Sequence, residues 1–281
     1  MRRSYTWTLP RTTIELGPRT IVMGILNVTP DSFSEGRDNV DPVRARDRAQ
    51  QIEAQGADIL DVGAESTKPG GTPVDAAEEM RRLGPVLELL ATSVTIPISV
   101  DTYRAATARA AIDAGAQIIN DISGFRFDSG MARLAAETVS GVVLMHSRGD
   151  RAQLHDRKED DSPSAIRDEL ASVAAVVVEA GVSPGAIVLD PGIGFGKSPG
   201  TNLKVLKKLD LFSTLGYPLL AGISRKSFIR IRVPVSDAPL WATAVASAAA
   251  ILGGAHILRV HDVAQMRAVA EMADAIEGSG N

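Results

Sequence analysis

Short β-branched apolar runs alternate with longer Ala-, Glu- and Arg-rich amphipathic segments about eight times over roughly 250 residues, and this alternation limits the folds open to the chain more than any other feature. The runs lie at 21–26, 59–62, 96–100, 118–119, 142–145, 187–189, 219–221 and 257–260. Between them the pattern is helical. Asp41-Pro42-Val43 opens one helix with an N-cap and a proline at the first helical position, and Gly56 closes it. The same glycine-then-strand punctuation returns at Gly115-Ala116 and Gly254-Ala255. The repeat predicts an α/β chain folded as a single (β/α)8 TIM barrel over residues 21–281. A short N-terminal hairpin, residues 1–20, precedes it, with Trp7, Ile14 and Leu16 around Pro10-Arg11. A doubly wound open sheet fits less well. No Gly-rich dinucleotide fingerprint follows the first run, and polar residues close nearly every run instead of marking one switch point.

Composition narrows the function classes. Hydrophobic residues at 44% supply a core and charged residues at 23% argue against disorder. A net charge of −4 gives no global field for nucleic acid or an acidic membrane surface, although a local basic pocket for a small anion remains open. With no cysteine the chain has neither disulfides nor thiolate metal ligands, which fits a reducing compartment. The most apolar stretch, 245–252, is too short to span a bilayer, and no apolar signal core follows the charged start, so a cytoplasmic protein is expected.

In a barrel of this kind the working residues occupy the C-terminal ends of the strands and the loops just beyond them. Read in order, those positions hold Asn27, Asp61 and Glu65, Asp101, Asn120 and Asp121, His146, Asp190, Arg225 and Lys226, and Arg259 and His261. A single Asp or Asn at such a place has an ordinary explanation, since these residues cap helices. A whole ring of them at one mouth does not. Asp101, Asn120, Asp190 and Lys226 supply acceptors, donors and one cation, the set needed by a flat heteroaromatic ring with an amino-pyrimidinone edge. Arg259 and His261, two apart at the end of the last run, would point the same way and form a cationic corner where barrels tend to bind phosphate. Asn27 is the candidate ligand of a divalent cation, because Mg²⁺ takes few protein ligands and leans on phosphate oxygens. With four histidines and no cysteine, no cluster has zinc spacing. The residues alone point to a barrel enzyme acting on a planar nitrogen heterocycle that carries a phosphate or pyrophosphate.

Several longer motifs add to this reading. Met23-Gly24-Ile25-Leu26-Asn27-Val28-Thr29-Pro30-Asp31-Ser32-Phe33-Ser34 resembles the first-strand signature of the dihydropteroate synthase family. So does Gly56-Ala57-Asp58-Ile59-Leu60-Asp61-Val62-Gly63-Ala64-Glu65-Ser66-Thr67, followed by Lys68-Pro69-Gly70. Ser99-Val100-Asp101-Thr102, Ile119-Asn120-Asp121-Ile122 and Asp190-Pro191-Gly192-Ile193-Gly194-Phe195-Gly196-Lys197 match in order, as do Ser224-Arg225-Lys226-Ser227-Phe228 and Arg259-Val260-His261-Asp262-Val263.

The resemblance implies condensation of 6-hydroxymethyl-7,8-dihydropterin pyrophosphate with p-aminobenzoate, giving 7,8-dihydropteroate and pyrophosphate in folate biosynthesis. It implies that Asp101, Asn120, Asp190 and Lys226 hold the pterin, with Met145 and Phe195 lining its slot. Asn27, Thr67, Arg259 and His261 would hold the pyrophosphate with Mg²⁺. Phe33, Thr67, Lys68 and Pro69, together with Ser227, would close over p-aminobenzoate. Asp101, Lys226, Arg259 and His261 are the expected catalytic groups.

Other positions have plainer readings. Asp61 and Glu65 are expected to brace the second loop, Asp121 to cap a turn and His146 to be a hydrogen-bonded structural histidine. Arg225 has a neighbouring carboxylate as an alternative partner, and Phe195 has barrel packing. The chain departs from the family pattern at Glu35, Arg37 and Lys68, in the fifth loop from Ser147 to Leu154, and after Phe228. A pterin-binding paralogue of weak activity and a pterin-dependent methyltransferase barrel are the competing readings. Apolar outer positions from Ala242 to Leu252 leave open both a homodimer contact and core packing.

Overall fold

A strand that is apolar at every position needs a buried surface on both faces, and a barrel jacketed by helices provides one. In a computed structural model of the chain, the residues described are 2–29, 40–65, 74–151, 154, 161–232 and 238–279. Two antiparallel strands, β1 (Tyr5–Thr8) and β2 (Thr13–Leu16), come first. Eight parallel strands follow: β3 (Ile21–Asn27), β4 (Ile59–Gly63), β5 (Ile98–Asp101), β6 (Ile118–Asp121), β7 (Gly141–Met145), β8 (Ile187–Asp190), β9 (Leu220–Ala221) and β10 (Ile257–Val260). Helices α1 (Pro42–Ala54), α2 (Ala76–Ser93), α3 (Ala105–Asp113), α4 (Met131–Thr138) and α5 (Pro163–Glu179) lie between the earlier strands. Helices α6 (Pro199–Lys207), α7 (Asp210–Ser213), α8 (Ser227–Arg232), α9 (Ala238–Leu252) and α10 (Val263–Gly278) accompany the later ones. Pairing runs β8-β7-β6-β5-β4-β3-β10-β9, and a single parallel bridge, Leu189 to Leu219, joins the two ends. The expected (β/α)8 barrel with its N-terminal hairpin is the observed architecture.

Local chemistry explains the element ends. Asp41 accepts hydrogen bonds from the N–H groups of Val43 at 2.9 Å and Arg44 at 3.3 Å, and Pro42 begins α1 as predicted. β5 begins at Ile98 rather than 96, because Pro97 has no N–H for the ladder and the N–H of Ile96 goes to Glu53 Oε1 at 3.3 Å. β3, β6 and β8 run past their apolar stretches, since Asn27, Asn120, Asp121 and Asp190 keep pairing with the neighbouring strands. Those polar side chains are therefore carried on rigid ladder positions.

Alternation along each strand separates two cores. Ile21, Met23, Ile59, Ile118, Val143, Val188, Leu220 and Ile257 point inward and fill the barrel. Their neighbours, such as Val22, Leu60, Ile119, Leu144, Leu189 and Leu258, pack outward against the helices. The hairpin lies under the inner cluster, where buried Trp7, Leu9 and Leu16 form its floor. Trp7 Nε1 donates to the Ala186 carbonyl at 2.7 Å, so the buried indole N–H is satisfied. Arg2 ties the start of the chain to α10 by ion pairs with Asp274 and Glu277. Among the described residues no helix is long and apolar enough to cross a membrane.

Candidate active site

Side chains two apart on a strand share a face, so the inner apolar layer decides which polar residues stand above it. Two steps on from Ile59, Ile118, Val143, Val188 and Ile257 come Asp61, Asn120, Met145, Asp190 and Arg259, with Asp101 ending β5 and Asn27 ending β3. The barrel thus has an apolar lower interior and a polar upper rim.

Arg259 spans that rim. Its Nε donates to Asp61 Oδ2 at 2.6 Å and its Nη2 to Asp101 Oδ2 at 2.5 Å. The same Asp61 oxygen accepts from Asn120 Nδ2 at 3.1 Å. Its place at a strand end makes Asp61 an expected brace of the second loop. Instead its inward parity places it, fully buried, between a cation on β10 and an amide on β6. Burial pushes the Asp101 carboxyl above the ordinary range, against the pull of Arg259. Burial works the other way on Arg259, but the charges of Asp61 and Asp101 outweigh it and keep the guanidinium firmly protonated.

Lys226 and Asp190 form the opposite side. The Lys226 ammonium lies 3.7 Å from the centre of the Phe195 ring, a cation–π contact. Burial, and then Arg259, press its pKa down to about 7, while Asp190 and Asp101 oppose them. A ligand oxygen that accepts from Lys226 would therefore draw it toward the charged state. Burial also raises the Asp190 carboxyl, countered by the Gly192 N–H, which donates to Oδ1 at 2.7 Å. Met145, Ile122, Leu154 and Phe195 make an apolar wall beside these groups, with Tyr103 and Phe127 packed on it. An apolar wall flanked by two carboxylates, an amide and a lysine has the chemistry that suits a flat ring with several donors along one edge.

The loop after β8 reaches this arrangement through three left-handed glycines, Gly192, Gly194 and Gly196, of which the first two also stand where no Cβ would fit. Gly192 has φ +68°, and a Cβ there would collide with the His146 carbonyl oxygen. Gly194 has φ +86°, and its Cβ would come within 2.7 Å of Lys226 Cδ. Lys197 lies buried beneath the loop, and burial lowers its ammonium to about 7 against the pull of Asp190.

Asp121, His146, Arg225 and Glu65 turn to other partners. Asp121 faces outward and caps a turn, accepting from Ser123 N at 2.6 Å and Phe125 N at 3.2 Å. His146 Nε2 meets Glu169 on α5 at 3.1 Å, and burial holds its pKa down to about 4, as befits a neutral structural imidazole. Arg225, at φ 58°, pairs with Asp262 at 2.5 Å and is half exposed. Glu65 braces the loops as expected, accepting from Arg104 Nη2 at 2.9 Å, Arg151 Nε at 2.7 Å and the Tyr103 hydroxyl. The described part of the divergent fifth loop is thus tied down, Arg151 by Glu65 and Arg148 by Glu169 and Asp161. His261 Nδ1 lies 3.0 Å from Ser224 Oγ, and Ser227 is exposed at the start of α8. Phe33, Glu35, Arg37, Thr67, Lys68 and Pro69 lie outside the described residues.

Sequence reasoning missed Asn202 and gave Lys197 no role. Asn202 Oδ1 accepts from Gly194 N at 2.7 Å, and its Nδ2 donates to the Lys197 carbonyl at 3.2 Å. The available signal was a polar residue on the otherwise inward-facing side of a short helix, which reads equally as an ordinary surface position.

A family model described as pterin binding enzyme matches residues 23–261. A dihydropteroate synthase of Bacillus subtilis is 46% identical over 268 residues, covering 93% of this chain and 90% of the relative. Another, from Synechocystis, is 40% identical over 95% of this chain and 93% of its own length. Among solved structures, Xanthomonas albilineans dihydropteroate synthase with 4-aminobenzoic acid superposes with a TM-score of 0.89 at 36% identity, covering 98% of this chain and 99% of that one. The same organism's enzyme in complex with 7,8-dihydropteroate gives 0.83 at 34% identity, over 94% of this chain and 96% of that one.

Proposed function

The chain belongs to the pterin-binding enzyme family, and from that premise we infer that it is a transferase that joins 6-hydroxymethyl-7,8-dihydropterin pyrophosphate to p-aminobenzoate, the dihydropteroate synthase reaction. The observation that carries the reading is the inner rim, where Asp101, Asn120, Asp190 and Lys226 surround an apolar wall of Met145 and Phe195. Asn120, Asp190 and Lys226 orient the pterin edge. The amine nitrogen of p-aminobenzoate attacks the pterin methylene carbon, the C–O bond breaks with its electron pair leaving on pyrophosphate, and the amine loses a proton. Delocalisation into the pterin spreads positive charge over the ring, and Asp101 offsets it. Arg259 and His261 meet the leaving group. With five N–H groups a guanidinium can keep Asp61 and Asp101 and still face a diphosphate. The nucleophile is already competent, so positioning does more than general-base catalysis.

Mg²⁺ belongs to the same proposal. Among the described residues no group of three His, Asp or Glu side chains could hold a metal by itself. The donor set therefore fits an ion held chiefly by diphosphate oxygens and water, with Asn27 as its protein ligand. Such an ion would supply positive charge where the diphosphate departs. Phe33, Thr67, Lys68, Pro69 and Ser227 are the residues we assign to p-aminobenzoate.

We also propose that the protein is a homodimer. Trp241 and Val245 on α9 are 68% and 72% exposed, and Met272 and Ile276 on the adjoining α10 are 64% and 55% exposed. Ala246 and Ala250 of α9 face the core instead, so the helix divides its apolar residues between two contacts. Light scattering tests this: a dimer mass that Trp241→Lys halves is expected, and a monomeric wild type refutes it.

For the reaction, isotopically labelled p-aminobenzoate is incubated with the dihydropterin pyrophosphate and the protein. Label appearing in dihydropteroate is the expected result. Pterin binding with no labelled product is the outcome that overturns the assignment.

A further inference from the structure

The loop between β8 and α6 carries Asp190 at one end and Phe195 near the other, and three backbone carbonyls converge beneath it on one ammonium. Lys197 Nζ donates to the carbonyl oxygens of Gly192 at 2.9 Å, Phe195 at 3.1 Å and His146 at 3.4 Å. An ammonium has three donors and no acceptor, so this arrangement uses it fully. Lys197 is only 7% exposed, and water competes little for those bonds. Asn202 closes the far side by holding Gly194 N–H at 2.7 Å and the Lys197 carbonyl at 3.2 Å. The loop is also joined to β7, since His146 N–H donates to the Asp190 carbonyl at 2.8 Å.

We propose that Lys197 is a positioning residue. By gathering the carbonyls of His146, Gly192 and Phe195 onto its ammonium, it holds the Asp190 carboxylate, the Phe195 ring and, across that ring, Lys226 in the arrangement that receives the pterin. The inference rests on the pterin-site reading given above. Lys197 touches neither the amine nucleophile nor the leaving group, so its loss falls on pterin affinity. A lysine that merely filled space would be replaced without penalty by a neutral chain of the same length.

The chain contains no cysteine, so Lys197→Cys introduces a unique thiol. Alkylated in denaturant with 2-bromoethylamine and refolded, it regains a lysine-like ammonium. Alkylated with 1-bromopropane, it gains a side chain of equal length and no charge. Pterin affinity is read by calorimetry with a non-phosphorylated pterin, and kcat and both KM values by steady-state kinetics. The aminoethyl form is expected within about two-fold of wild type. The propyl form is expected to bind pterin about ten-fold more weakly or worse, with its KM for p-aminobenzoate unmoved. Equal pterin affinity in the two forms, or an equal loss in kcat and both KM values, overturns the proposal.

Asn202→Leu is the second probe, because it frees Gly194 N–H without altering the ammonium. The same selective loss of pterin affinity is expected, and wild-type pterin binding by folded Asn202→Leu overturns the clamp even if the propyl form does not refold. Wild-type protein that binds no pterin sinks the reading of the site itself, and the clamp with it. Wild type that binds while the propyl form binds equally well sinks the clamp alone.

Discussion

Replacing Asp61 by asparagine tests whether the rim is a connected unit. The carboxylate is fully buried and its Oδ2 accepts from Arg259 Nε at 2.6 Å and Asn120 Nδ2 at 3.1 Å. Removing one partner of an isolated buried ion pair costs roughly 3–5 kcal/mol. Here Asp101 stays bonded to Arg259 Nη2 at 2.5 Å, so the guanidinium keeps an anion. What is lost is the difference between a charged and a neutral acceptor, about 1–2 kcal/mol. The new NH₂ must occupy the place of Oδ1, which has no hydrogen-bond partner among the described residues. The wild type already leaves that position unpaired, so exchanging one unsatisfied group for another adds little and the total stays at about 1–2 kcal/mol. Urea denaturation measures it. Arg259 is then held by Asp101 alone, so kcat/KM for the pterin pyrophosphate is expected to fall about ten-fold or more, with KM for p-aminobenzoate little changed. Asp61 also helps raise the Asp101 carboxyl, so an acid limb due to Asp101 moves to lower pH in the variant. Wild-type stability together with unchanged pterin kinetics would refute the linkage of Asp61, Arg259 and Asn120.

Three further outcomes are expected. Trp7→Ala empties the barrel floor and costs about 3–5 kcal/mol in urea denaturation, while a cost below about 1 kcal/mol means that the hairpin does not support the barrel. Asp190→Asn keeps shape but turns one acceptor into a donor, and calorimetry is expected to show a loss of about 1–3 kcal/mol in pterin affinity, whereas wild-type affinity makes Asp190 structural. Burial holds His146 at about 4 in the folded chain against 6.5 unfolded, so below pH 6.5 the unfolded chain takes a proton that the folded one refuses. Stability therefore falls from pH 6.5 toward 4, and His146→Gln flattens that fall by roughly 3 kcal/mol; an unchanged slope contradicts the assignment.

All eight barrel strands were legible because each is a short apolar run bounded by turn chemistry. Their ends were less so. The apolar run gives β6 only residues 118–119, yet Asn120 and Asp121 continue the ladder, because backbone pairing does not require an apolar side chain. At the site, strand-end polarity located the mouth but not each residue's direction. Asn120 and Asp121 are adjacent, yet one faces Asp61 inside the barrel and the other caps a turn outside. Parity with Ile118 separates them once the inner layer is known. Arg225 could not be placed in the same way, since a left-handed backbone carries its side chain to Asp262. Asn202 acts on Gly194 through space from a helix, and no local pattern announces it.

The central claim is that this rim drives substitution at the pterin methylene by an aryl amine, and its most direct measurement is pyrophosphate release as a function of p-aminobenzoate. With dihydropterin pyrophosphate and Mg²⁺ present, release that saturates in both substrates and equals dihydropteroate formed is the predicted result. Release that proceeds equally without p-aminobenzoate, or no release from a protein that binds the pterin, would contradict it.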